Sequence, residues 1–360
     1  LLAMLFSPMG NCVSMTESGA WPLQTSLRPR CIRSTDLIGV VLFWMPCVLW
    51  PECVYGADPI VPFQSVVIDM DPPGNPWFKM VGDIDGDGDR DIVVAGSRGT
   101  LVWYANPSWR RTQIADGRWD GVNGETADID GDGDIDIVMG GIVWFENPMP
   151  HPRPWRSHRI ARRRAHDIEI ADLDGDGRLD VVARDQSAFG KTGNKVYVCF
   201  QVEKAQWSQL VIDCPHGEGL KLGDIDADGD SDIVLPGLWH ENPGNADARW
   251  PAHRYSHEWT EGDTKVDLAD FNRDGRMDIV LSPAELKGET YRVSWFAAPE
   301  NRRSENWPEN VVVPSIECVI HSLGVADFDG DGDPDIALSL IHISEPTRPM
   351  KESRMPSSAG

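Results

Sequence analysis

The chain has 360 residues, with 57 Asp and Glu against 33 Lys and Arg and a net charge of −24. That balance argues against nucleic acid as a partner and against attraction to an anionic membrane surface, and it suits cations wherever the acids are clustered. Hydrophobic residues make up 41 % of the chain, so a sizeable core is available.

Residues 1–57 read as an upstream segment followed by a signal peptide. The apolar run 37–50 follows Arg28, Arg30 and Arg33 and precedes the small residues Gly56 and Ala57. This is the layout of a secretory leader. The run is short for a membrane span, which needs about 20 residues, so no span is expected in the mature chain. Localisation is therefore expected to be secreted, periplasmic or at the cell surface. Seven Cys lie at 12, 31, 47, 53, 199, 214 and 318, without a CxxC spacing. That pattern argues against a zinc cluster or a disulfide framework, although an oxidising compartment would allow Cys199 and Cys214 to pair.

Residues 58–337 hold one nine-residue loop six times, beginning at Asp83, Asp128, Asp172, Asp224, Asp270 and Asp327, with spacings of 45, 44, 52, 46 and 57 residues. The loops contain 27 of the 57 acids, so the acidity is local chemistry. A Trp precedes each later loop by 17 to 20 residues, at Trp109, Trp155, Trp207, Trp250 and Trp307. Phe63 and Ile68 fit the same frame before the first loop. Asn-Pro turns follow at Asn106-Pro107, Asn147-Pro148 and Asn242-Pro243, with the degenerate Ala298-Pro299 in the fifth unit. Each unit then contains about four short apolar segments, the arithmetic of a propeller blade. The fold class is all-β, a β-propeller of four-stranded blades. Six repeats are visible, and a truncated seven-bladed ring is expected.

The loop chemistry points to a hard divalent cation, which takes six to eight oxygens at about 2.3–2.6 Å. Position 1 supplies Asp83, Asp128, Asp172, Asp224, Asp270 and Asp327. Position 3 supplies Asp85, Asp130, Asp174, Asp226, Asn272 and Asp329. Position 5 supplies Asp87, Asp132, Asp176, Asp228, Asp274 and Asp331. Position 9 supplies Asp91, Asp136, Asp180, Asp232, Asp278 and Asp335. Position 6 is Gly in every copy, where a sharp bend is needed. Calcium, about one ion per loop and up to six, is the expected cofactor. The fifth loop has Asn272, Arg273 and Arg276 and only three acids, so its affinity is expected to be the weakest. Acidic solvated turns would explain neither the Gly column nor the position-9 Asp column.

With these loops and this spacing, residues 63–337 resemble the FG-GAP-like/VCBS repeats of integrin-α-type propellers, although the Phe-Gly and Gly-Ala-Pro signatures are absent. The resemblance implies a calcium-binding binding or adhesion module whose partner is a glycan or an extracellular protein. The regular Trp columns are expected to pack between blades. The alternative is a sugar-processing enzyme of lyase or dehydratase type. Six residues before each loop stand Trp77, Val122, His166, Glu218, Thr264 and His321, of which His166, Glu218 and His321 could converge at the channel. The balance leans away from an enzyme, because ordinary polar lining explains the same residues. Finally, Leu338–Arg348 match the translation of a transposon-based sequencing-library adapter. Authentic sequence is therefore expected to stop near Ala337, with 338–360 disordered artefact.

Overall fold

The computed structural model describes residues 66–340 except 97, 120, 152, 187–192 and 246–248, together with the backbone of Leu2–Phe6 and Cys12–Ser14. Backbone contacts divide the chain into one unit of Leu1–Met15 with Val66–Gly360 and a second, Thr16–Ser65. The second unit, the expected leader run 37–50 and residues 341–360 lie outside the described residues. All described secondary structure is β, so no described helix is long and apolar enough to cross a membrane.

Five blades are antiparallel sheets whose four strands follow chain order. Blade one comprises Pro76–Gly82, Asp91–Gly96, Arg98–Ala105 and Arg110–Arg118. Blade two comprises Gly124–Ala127, Asp136–Met139, Val143–Glu146 and Arg156–Arg159. Blade three is Asp167–Ala171, Asp180–Asp185, Lys195–Glu203 and Gln206–Asp213. Blade four is Lys221–Gly223, Asp232–Leu235, Leu238–His240 and Ala252–His253. Blade five is Thr264–Ala269, Asp278–Pro283, Leu286–Phe296 and Glu309–Cys318. First strands of successive blades lie side by side, and they and the segments leading into them line a channel cavity of about 310 Å³. The blades thus form a ring, a β-propeller arrangement.

A sixth sheet departs from chain order. Ile320–Ala326 and Asp335–Leu340 take Leu2–Phe6 as third strand and Cys12–Ser14 as fourth, with Leu2 opposite Leu340 and Phe6 opposite Ile336. The sequence frame ends this unit near Ala337, whereas the strand runs on to Leu340.

The core lies between blades, so sheets bury both faces. That is why second strands such as Asp136–Met139 and Asp232–Leu235 are buried at every residue instead of alternating. Phe78, Val93 and Leu101 of blade one meet Ile137, Met139 and Phe145 of blade two. Trp144 meets Ile168 and Val181, and Trp239 meets Ile279 and Phe296. The Trp columns join these packing layers, with Trp250 and Trp307 buried and Trp155 and Trp207 partly buried. Cys199, Cys214 and Cys318 are free, so the pairing of Cys199 with Cys214 does not form.

One boundary shifts from the sequence frame. Phe63 lies outside the described residues, and Ile68 belongs to no strand; the first strand of blade one begins at Pro76. Ile68 instead packs on Val94, Val102 and Tyr104, while the Tyr104 hydroxyl donates to Asp69 at 2.6 Å.

Candidate functional site

Each Asp loop joins the first strand of a blade to its second, so all six open at the same end of their blades. The position-6 glycines adopt φ between 81° and 101°, which L side chains rarely accept. Position 4 is left-handed as well, even where it is Ala227 (φ 65°) or Arg273 (φ 59°). Two left-handed residues curl the chain around the position-1 carboxylate. In the first loop Asp83 accepts the Asp87 and Gly88 N–H groups, both at 3.0 Å, and the other five loops repeat this pair.

The position-9 Asp has a structural task that the spacing alone did not reveal. Asp91 accepts the Ile84 N–H at 3.0 Å and the Asn106 N–H at 2.8 Å. Asp136, Asp180, Asp232 and Asp278 do the same in their own blades. This carboxylate therefore ties the loop entrance to the end of the third strand or the turn after it. Burial pushes its acidity down: Asp136 and Asp232 rise to a pKa of about 7, and Asp180 and Asp278 to about 6.

The donor set fits a calcium ion. Oxygens bound at about 2.4 Å to one ion stand at most about 4.8 Å apart. In the first four loops, ligand oxygens of positions 1, 3 and 9 lie within 4.8 Å of one another. One oxygen each of Asp85, Asp174 and Asp226 is buried with no hydrogen-bond partner, an arrangement that costs free energy unless a cation uses it. Position 5 is less committed. Asp87 accepts the Asp89 N–H at 2.9 Å, and the equivalent residue does so in every loop.

Side-chain cations crowd some loops and spare others. Arg178 pairs with Asp176 in the third loop, and Arg276 with Asp274 in the fifth. Lys204 of blade three reaches Asp130 at 2.5 Å, and Arg303 reaches Asp226 at 2.5 Å. Arg273 of the fifth loop pairs with Asp333 of the sixth. Among the described residues, no Lys or Arg pairs with the first loop.

The Asn of each Asn-Pro turn does more than turn the chain. Asn147 of blade two donates to the Ile84 carbonyl of the blade-one loop at 2.9 Å. Asn242 of blade four donates to Leu173 of the blade-three loop at 2.8 Å. The third repeat lacks Asn-Pro, and Gln201 takes the role, donating to Ile129 at 3.1 Å. These amides clamp one blade to the preceding Asp loop. In blade five the position is Ala298, and the link to the fourth loop runs through Arg303 to Asp226 and Glu241.

The opposite end of the first strands carries the six-before-loop column. His166 Nε2 lies 2.8 Å from Glu218 and Nδ1 lies 3.1 Å from Asp167. Lys265 reaches Glu218 at 3.0 Å. His166, Glu218 and Glu285 offer ligand atoms within 4.8 Å of one another, while His321 sits 3.7 Å from Glu285 rather than on His166. His166 and Glu218 are thus brought together, and His321 touches the cluster only at its edge. Asp167, Lys265 and Glu285 were missed. The available signal was the pair Gly217 and Gly219 around Glu218, at φ 136° and 94°, where a Cβ would lie 2.0 Å from the Gly262 carbonyl oxygen and 2.3 Å from that of Thr264.

Electrostatics decide the character of this cluster. Burial disfavours charge on His166, yet Asp167 and Glu218 outweigh it and raise the pKa to about 10. Burial likewise opposes the Lys265 charge, and Glu218 with Asp167 and Glu285 again prevails. The carboxylates already hold two resident cations, so this donor set does not fit a metal as the Asp loops do. The column's remaining members diverge: Thr264 is buried and bonded to Trp259, whereas Trp77 is 55 % exposed at the channel.

A ring of blades with one Asp-rich hairpin loop each defines a repeat β-propeller. Residues 83–139 match the family model of the FG-GAP-like repeat, which supports an FG-GAP-type repeat protein. Among solved structures, the chain is similar to the crystal structure of the V. cholerae biofilm matrix protein Bap1, with 19 % identity and a TM-score of 0.38. That match covers 61 % of this chain and 36 % of the other. No curated protein sequence matches the chain.

Proposed function

We propose that the chain is a secreted or cell-surface calcium-binding β-propeller that serves as a binding or adhesion module for a glycan or protein partner. The observation that carries the calcium reading is the repeated convergence of position-1, -3 and -9 oxygens with buried, unpartnered position-3 oxygens. The sixth Asp loop supports a ring of six or more blades. A site at ten times its dissociation constant adds about 1.4 kcal/mol to folding stability. Several such sites would act as fold staples, and extracellular calcium modules typically bind at about 10⁻⁴–10⁻³ M.

Melting the chain with millimolar calcium and with excess chelator tests this. Tm is expected to rise by many degrees with calcium. Identical melts would remove the calcium reading. Against the sugar-processing alternative stands the state of His166, a buried cation between two carboxylates rather than a free base.

A further inference from the structure

We propose that the concave patch formed by Arg159, Arg162, Arg163 and Arg164 binds an acidic saccharide through its carboxylate or sulfate oxygens. The proposal rests on the reading of the propeller as a binding module and names the class of its partner.

The patch lies at the end of blade two opposite its Asp loop. There the segment from the last strand of blade two to the first of blade three crosses the turn between the second and third strands. The backbone is pinned: Ile142 O accepts the Ile160 N–H at 3.0 Å and the Ala161 N–H at 3.3 Å. Ala165 bridges to Gly121, and Ile160 and Ala165 are buried anchors at either side of the basic run. Between and beside these anchors the four arginines stay exposed. Among the described residues, they and Gly141 line a cavity of about 390 Å³. Arg163 lies over the Tyr197 ring, 5.3 Å from its centroid, which orients one guanidinium.

Among the described residues none of the four forms a salt bridge, although Asp185 is within electrostatic reach of Arg163 and Arg164. Elsewhere Arg111, Arg292 and Arg303 each engage a carboxylate. Four guanidiniums around one concavity repel one another, and an incoming anion relieves that repulsion. Guanidinium forks match paired oxygens of carboxylate or sulfate. Among the described residues no apolar side chain lines the cavity, which suits a polar ligand such as a sugar better than a lipid or an apolar-rich peptide.

The test is calorimetric titration of the full chain in calcium with four probes: hexagalacturonate, a sulfated dextran oligomer, neutral dextran and poly-glutamate. Binding is expected for hexagalacturonate or the sulfated oligomer, and which of them binds identifies the anionic group. Affinity is expected to fall with added NaCl. The double variant Arg162→Gln with Arg164→Gln is expected to bind at least tenfold more weakly, and the Lys pair to recover only part. Four results overturn the proposal: no acidic saccharide binds, neutral dextran binds as well, the double Gln variant binds like wild type, or poly-glutamate binds as tightly as the sugars. Calcium-dependent melting of each variant reports folding; should the Gln pair misfold, the Lys pair and the wild-type salt series decide. A chain that melts with calcium as expected but ignores acidic sugars loses this site alone. One that binds them without a calcium response loses the calcium reading alone.

Discussion

At the scale of single residues, one carboxylate column combines two tasks. The position-9 Asp spends both oxygens on backbone N–H groups and, in the first four loops, also stands within 4.8 Å of position-1 and position-3 oxygens, so folding the blade and bringing the carboxylates together are one event. The loops' acid pattern was legible because the hydrogen bonds that curl each loop join residues of the same loop, as those from the Asp87 and Gly88 N–H groups to Asp83 do. The channel cluster was only half legible, since Lys265 and Glu285 meet Glu218 from a different blade. His166 carries a sign-determined prediction. Its folded pKa of about 10 exceeds the unfolded value of about 6.5. Its stabilisation is therefore complete below about pH 6.5 and is lost as pH rises through about 10. Melts of wild type and His166→Gln from pH 6 to 10.5 should show a gap that narrows toward the alkaline end. A constant gap would show that the ion pairs contribute nothing.

At the scale of the element, the six loops share a backbone but not an electrostatic setting. Among the described residues no side-chain cation pairs with the first loop's carboxylates, whereas Arg276 with Asn272 weakens the fifth and Arg178 encumbers the third. In a calcium titration, Asp85→Ala should delete the tightest step and Asp270→Ala should leave it intact; loss of the tightest step with Asp270→Ala would reverse the ranking. Asn-Pro was readable as a turn, but the clamp it makes to the preceding blade was not, because Ile84 lies 63 residues from Asn147. Asn242→Ala removes a buried donation to Leu173 and a half-buried one to Ser231. A cost of about 1–3 kcal/mol is expected, seen as a Tm lower by several degrees with calcium present. An unchanged Tm would make the Asn column turn chemistry alone.

At the scale of the whole molecule, charge and fold are coupled. Asp136, Asp180, Asp232 and Asp278 have folded pKa values of about 6 to 7, above the unfolded value of about 3.9. Without an ion the native state then binds more protons than the unfolded chain, so stability falls as pH rises from about 4 to 7. In chelator the chain should melt higher at pH 5 than at pH 7.5, and the gain on adding calcium should be larger at pH 7.5. Equal gains at both pH values would separate the buried acids from calcium binding.

The repeat, the four-strand blade and the candidate ion loops were readable from the chain because each depends on contacts within one hairpin. Three features needed the closed-up tertiary arrangement. The sixth sheet takes Leu2–Phe6 as a partner for Asp335–Leu340, a pairing between opposite ends of the chain. The clamps by Asn147, Gln201 and Asn242 cross from blade to blade. The basic concavity exists only because the Arg162–Arg164 run is pinned over the turn at Gly141. Local hydrogen bonds and glycine conformations write themselves into short motifs, whereas contacts across a blade interface depend on packing that no single motif encodes.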